Sequence, residues 1–299
     1  MMRDFVFITD THIMTSSRVR SGDVASDICN KLRFVVDYCN KNNAILLHGG
    51  DVFDKPTVAD VTKNEIISIL KELKTECYAI AGNHSELWGS PDYNYKTSFN
   101  TLTSAGLMKD LDLVDCVEYD DVIITSKLPL KTRNKPQIVI NHAFLNIEDG
   151  RWTCRFTDLQ TTDKTVVLLG HDHVEYEDLK LTEDLKIIRP GSFLRGVRTD
   201  TNCRTPKLVH LKVKDGKILT KKVDIQCRDW EEIFKTKEIT ITKAQQRDTY
   251  DAIIKSIRES QKADMTFEQA MSSVAPEEVV NYALKVLEEV NLENNFKKI

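Results

Sequence analysis

FVFITDTH, residues 5 to 12, is a short apolar run that ends in an acid and a histidine. Outward from it, a stretch of period 3.6 covers 24 to 42, and AILL at 44 to 47 leads into Gly49-Gly50-Asp51. A second helical stretch near 59 to 74 precedes CYAIA at 77 to 81, which leads into Gly82-Asn83-His84. Apolar runs bounded by turn residues read as strands, and their alternation with helical periods predicts a β-α-β-α-β series of parallel strands with crossover helices. The first half is therefore α/β.

After residue 106 strand signals crowd together: LVDCV (113 to 117), VIIT (122 to 125), QIVIN (137 to 141), TVVLLG (165 to 170), LKII (185 to 188), then PKLVHLKV and KILTKKVDI within 206 to 225. These predict a second sheet, largely antiparallel. The last pair flanks Asp215-Gly216, a strong hairpin signal. From 226 the texture turns helical again, with stretches at 244 to 260, 265 to 273 and 277 to 290 and Pro276 near the start of the last. The expected organisation is one domain over 1–225 and a helical C-terminal segment over 226–299.

The 299 residues are 41% hydrophobic and 29% charged, the balance of an ordinary globular protein and not of a disordered or membrane chain. MMRDFVFITD reads as a first strand, not a signal peptide, which makes a cytoplasmic protein the expectation. Seven cysteines stand singly with no C-x-x-C pair, which argues against a zinc ribbon and a secreted disulfide framework. A net charge of -4 lacks the basic field of a free-standing nucleic-acid binder, so any DNA contact must be local or shared with a partner.

Five clusters follow apolar runs, where open α/β sheets place their ligands: Asp10-Thr11-His12, Gly49-Gly50-Asp51, Gly82-Asn83-His84, Asn141-His142 and Gly170-His171-Asp172-His173. Alone, Asp-x-His can be a helix cap, the two glycine clusters turns, and His142 a hydrogen-bonded core histidine. Together, five strand-end groups of metal-ligand types make a ligand pattern. Asp10, His12, Asp51, Asn83, His142, His171 and His173 would supply one bridge and two half-shells for a pair of divalent cations. Two such ions about 3.5 to 4 Å apart polarise a phosphoryl oxygen and activate water at neutral pH. The mixture of carboxylate, imidazole and amide suits manganese, iron or zinc better than calcium.

In order and type these clusters, from residue 10 to residue 173, resemble the calcineurin-like metallophosphoesterases. The resemblance implies a four-layer α-β-β-α sandwich with, here, a C-terminal helical appendage. It implies that Asp10, His12 and His173 ligate one metal, that Asn83, His142 and His171 ligate the other, and that Asp51 bridges them. His84 would stand off the metals as the catalytic histidine, stabilising the transition state or protonating the leaving oxygen. The family commonly follows this histidine with an acid; here Ser85 and then Glu86 follow, so either Glu86 or an acid elsewhere substitutes, or this His84 is less well tuned.

GGDVFDKP (49 to 56), ICNKLRFVVDYCNK (28 to 41) and Ile188-Arg189-Pro190-Gly191-Ser192 resemble the DNA-repair exonuclease branch, the SbcD type and its eukaryotic counterpart in double-strand-break repair. That branch implies a manganese-dependent nuclease acting on DNA, working with an SbcC-like coiled-coil ATPase that the C-terminal helices would engage. Ile253, Ile254 and Ile257 sit at helical spacing for such docking, and equally for a cap on the core. The branch also implies a homodimer. Arg18 and Arg20 after the first cluster, and Arg195, Arg198 and Arg204 after the Pro-Gly-Ser turn, would form a rim for phosphate-backbone contacts. Competing readings are a phosphatase or small-molecule phosphodiesterase with the same metals, and a catalytically idle scaffold, against which stands the presence of all seven ligands.

Overall fold

The computed structural model describes residues 3–17, 20, 22–87, 95–146, 152–196 and 203–234. The chain divides into two compact units, Met1–Lys235 and Thr236–Ile299. The second unit, with the helical stretches expected at 244 to 290, lies outside the described residues. No helix among the described residues is long and apolar enough to cross a membrane.

The first unit is a sandwich of two six-stranded sheets. Strands β1 (Arg3–Ile8), β2 (Ile45–His48), β3 (Cys77–Ala79) and β4 (Lys109–Asp110) run parallel, linked through helices α1 (Val24–Asn42), α2 (Asp60–Lys71) and α3 (Ser98–Ser104). Asp23 caps α1, its carboxylate accepting from the amides of Ala25 and Ser26, and Asn43 closes it in the left-handed conformation. The expected β-α-β-α-β series is present.

The second sheet corrects the expectation of antiparallel pairing. Its centre is parallel: β6 (Ile123–Thr125), β7 (Gln137–His142), β10 (Thr165–Gly170) and β12 (Leu185–Ile188). Only the edges β5 (Val117–Glu118) and β11 (Leu179–Lys180) run the other way, giving the order β11-β12-β10-β7-β6-β5. Strands buried on both faces read as continuous apolar runs, the signature of parallel sheets, and IVI and VVLL carry it. A further pair, β8 (Phe144–Leu145) and β9 (Thr153–Cys154), stands apart.

The hairpin β13 (Lys207–Lys214) and β14 (Lys217–Asp224) forms where Asp215-Gly216 marks it, both residues having positive φ as a type I′ turn requires. It does not join the second sheet. β13 lies antiparallel to β1 and extends the first sheet.

Alternation along each strand builds the layers. Phe5, Phe7, Leu47, Ile138, Ile140, Val166 and Leu168 meet between the sheets. Val6, Ile8 and Leu46 face the helices, against Ile28, Leu32, Val35, Val36, Ile66 and Ile69. Val139, Val167 and Leu169 face outward on the second sheet, under Cys154 and Leu159; the 3-10 turn Phe156–Leu159 supplies the cover there. A final short helix, α4 (Trp230–Ile233), closes the described chain.

Candidate metal centre

The five clusters lie at one end of the sandwich. On the first sheet Ile8, His48 and Ala79 share a rung, so the residues following β1, β2 and β3 emerge side by side. On the second sheet Gly170 pairs with His142. Every contributing strand points its C-terminal end here, where the carbonyl-bearing ends of parallel strands leave a crevice.

The chain makes sharp turns to bring the side chains in. Asp10, His12, Asp51 and His171 all have positive φ, between 38° and 79°. Non-glycine residues pay of order 1–3 kcal/mol for such conformations, which persist where surrounding structure over-determines them. Backbone bonds provide that: Asp10 and His12 amides donate to the Gly50 and Asp51 carbonyls at 3.1 and 2.9 Å, and Phe193 and Leu194 amides to Thr9 and Asp10 carbonyls at 3.0 and 3.1 Å. Gly50 has φ +96°, and a side chain there would run into the His142 ring.

The structure brings all seven proposed ligands together. Among the described residues Asp10, His12 and His173 form one cluster able to hold a cation, Asp51, His142 and His171 another, and His12, Asp51 and His84 a third that overlaps both. His12 Nε2 lies 2.9 Å from His173 Nε2, and both approach Asp10 Oδ1, at 3.7 and 3.5 Å. Asn83 Oδ1 lies 3.0 Å from His142 Nε2 and 2.9 Å from His171 Nδ1. Asp51 stands between: its Oδ2 is 3.7 Å from His12 Nε2 and 3.1 Å from His142 Nε2, while its Oδ1 accepts the His84 amide at 2.9 Å. Ligands about 2.1 Å from a cation sit roughly 3.0 to 3.4 Å from one another. The separations here, 2.9 to 3.7 Å, bracket that range, and Asp51 Oδ2 lies between the two groups.

Partners outside these shells orient the donors. His142 Nδ1 donates to the Gly49 carbonyl at 2.8 Å, which leaves Nε2 with its lone pair toward Asn83 and Asp51. Thr9 donates to Asp10 Oδ2 at 2.7 Å and the His171 amide to the same carboxylate. Burial alone would raise the Asp10 carboxyl, but hydrogen bonds from His12 and His173 hold it well below the usual range. Asp51 is also held low, its burial outweighed by His142. Burial depresses His142 and His173, yet Asp51 and Asp10 respectively pull each up overall; His171 is lowered by burial and by the neighbouring His142.

His84 stands beside His12, ring centroids 4.6 Å apart. The group that meets its Nδ1 is the Asp54 carbonyl at 2.6 Å, with Asp54 Oδ1 at 4.0 Å. A residue three after Asp51 thus orients this ring. The side chain is 38% exposed.

The arginine rim needs correction. Arg20 and Arg195 are 2% and 1% exposed. Arg20 pairs with Asp27 and donates to the Arg195 carbonyl; Arg195 donates to the carbonyls of Arg204 and Arg228. Arg204 donates to the Ser192 carbonyl at 2.9 Å. These guanidiniums tie loops together by donating to their backbone carbonyls. Arg18 and Arg198 lie outside the described residues.

Several residues here carried no sequence signal. His48 is buried, bonds the Thr11 hydroxyl at 3.0 Å, and burial pushes it down to about 4. Phe144 and Trp152 flank His171, with ring centroids 4.3 and 6.0 Å away. The adjacency of His48 to Gly49-Gly50-Asp51 was the one available hint.

Residues 4–175 match the family model described as calcineurin-like phosphoesterase. No curated protein matches the sequence. Solved structures similar to this chain include a 5'-nucleotidase precursor from Thermus thermophilus (12% identity, TM-score 0.41, 79% of this chain and 56% of that one) and the NAD nucleotidase of Haemophilus influenzae (12%, 0.42, 83% and 55%). A conserved uncharacterized protein of Streptococcus pneumoniae, a predicted phosphoesterase, is also similar (10%, 0.32, 79% and 97%). The chain spans a little over half the length of the first two.

Proposed function

We propose that this chain, which belongs to the calcineurin-like phosphoesterase family, is a two-metal phosphodiesterase that cleaves DNA as an exonuclease or endonuclease of the SbcD type. The observation that carries the two-metal part is Asp51 Oδ2, placed between His12 and His142. Asp10, His12 and His173 would hold one ion, Asn83, His142 and His171 the other, and Asp51 both; manganese suits these donors. Two divalent cations there would polarise the phosphoryl oxygen and lower the pKa of an attacking water. Asp10 and Asp51, whose carboxyls their histidine partners hold low, would offset the cations' charge. His84, its Nδ1 proton committed to the Asp54 carbonyl, has Nε2 as the atom that would carry a proton to the leaving oxygen.

The DNA part rests on GGDVFDKP, the sequence of α1 and Ile188 to Ser192, which resemble that branch. With it come a role in DNA repair or recombination in the cytosol, an SbcC-like ATPase met by the C-terminal unit, and a homodimer. The burial of Arg20 and Arg195 favours a second reading, a phosphatase or small-molecule phosphodiesterase.

The test is incubation with manganese on single- and double-stranded DNA, a small phosphodiester and a phosphomonoester, beside His84→Ala. Manganese-dependent degradation of DNA, lost in the variant, is expected. Turnover of small esters with DNA untouched would put the second reading first.

A further inference from the structure

Phe144 opens β8, Trp152 directly precedes β9, and the Phe144 amide donates to the Trp152 carbonyl at 2.8 Å. One backbone tie thus holds both rings on the Asn83-His142-His171 side of the centre. Phe144 meets His171 edge to face. Trp152 leans over the same imidazole at 31° and meets His142 at 88°, centroids 5.8 Å apart. Both residues are half-buried, neither sealed in the core nor fully exposed. Buried Arg20 and Arg195, meanwhile, are committed to internal partners. A substrate that carries a flat aromatic group a sugar's length from its phosphate is a nucleotide, and aromatic rings bind nucleobases through their π faces without regard to sequence.

We infer that Phe144 and Trp152 form a stacking platform for the base of a nucleotide adjoining the scissile phosphate. The substrates are then nucleotide esters held by the face of a base, and not phosphate esters of simple sugars. This rests on the phosphoester hydrolysis proposed above and names the substrate class of that same site.

Two readouts on the full chain with manganese test it. The first titrates a dinucleotide containing 2-aminopurine and follows its fluorescence, which stacking quenches. Quenching is expected with the native chain, lost in Trp152→Ala and largely restored in Trp152→Phe, with Phe144→Ala as a second variant. Equal quenching in native and Trp152→Ala, or none in the native chain, overturns the platform.

The second compares kcat/KM for a dinucleotide and for its counterpart with an abasic spacer. The native chain should prefer the base by about tenfold, within the range that one stacked base contributes, and the ratio should fall toward unity in Trp152→Ala. A ratio unchanged by the substitution overturns the proposal. Quenching without hydrolysis of either dinucleotide would support the platform while refuting the phosphodiesterase reading.

Discussion

Asp51 Oδ2 lies 3.1 Å from His142 Nε2, while the other oxygen of the same carboxylate is held by the His84 amide. Asp51→Asn should therefore weaken both ion sites together, and by more than the roughly 10–100-fold that loss of an outer partner costs. Titration calorimetry with manganese checks this. Two ions still bound with native affinity would exclude the bridge.

His84 meets the Asp54 carbonyl, the His12 ring edge and, through its amide, Asp51; its ring is not among the seven proposed ligands, though it lies within a group with His12 and Asp51 that could hold a cation. His84→Ala should lower kcat by about 10²–10⁴-fold and leave manganese affinity near that of the native chain. Steady-state kinetics beside calorimetry separates the two effects, and a parallel loss of metal would make His84 a ligand instead.

Arg20 pairs with Asp27, their side chains 1% and 5% exposed. Removing one partner of a buried pair strands the other, so Arg20→Ala should destabilise the fold by about 3–5 kcal/mol. Urea denaturation measures it. A phosphate contact at the surface would instead leave the midpoint in place and weaken only DNA binding.

Lys31 is fully buried on α1, donates to the Phe193 carbonyl at 2.8 Å, and is pushed down to about 7, chiefly by burial. Its ordinary value is 10.5. Between these limits the unfolded chain binds the extra proton, so stability rises with pH across that window. Above about 10.5 the cost of burying the charge is absent, and it is complete below about 7. In Lys31→Met that contribution to the slope should vanish. Comparing urea midpoints of native and variant chains at pH 7 and pH 9 reads the difference, since other groups titrate alike in both; parallel slopes would mean that the buried amine stays protonated across this range, as it does in the unfolded chain.

The centre was largely legible in the sequence because its signals are local. A strand needs only its apolar run, and Asp10, Asp51, Asn83, His142 and His171 each follow one within a few residues. Helix α1 and the Asp215-Gly216 turn were legible for the same reason: period and turn chemistry act over neighbouring residues. Carbonyl partners were not legible. Nothing in the order of residues announces that Asp54 would orient His84 through its backbone.

By itself, then, the sequence determined the strand-helix alternation of the first half, the hairpin and which seven polar residues gather at the strand ends. Tertiary structure alone decided that β13 would pair with β1, and that the second sheet would run parallel at its centre. It also decided that Arg20, Lys31 and Arg195 would lie inside, and that Phe144 and Trp152 would stand over His171. Sheet order and the burial of a charge depend on residues as far apart as Lys31 and Phe193. Their cost is met by carbonyl and carboxylate partners that exist only once the chain has closed around them.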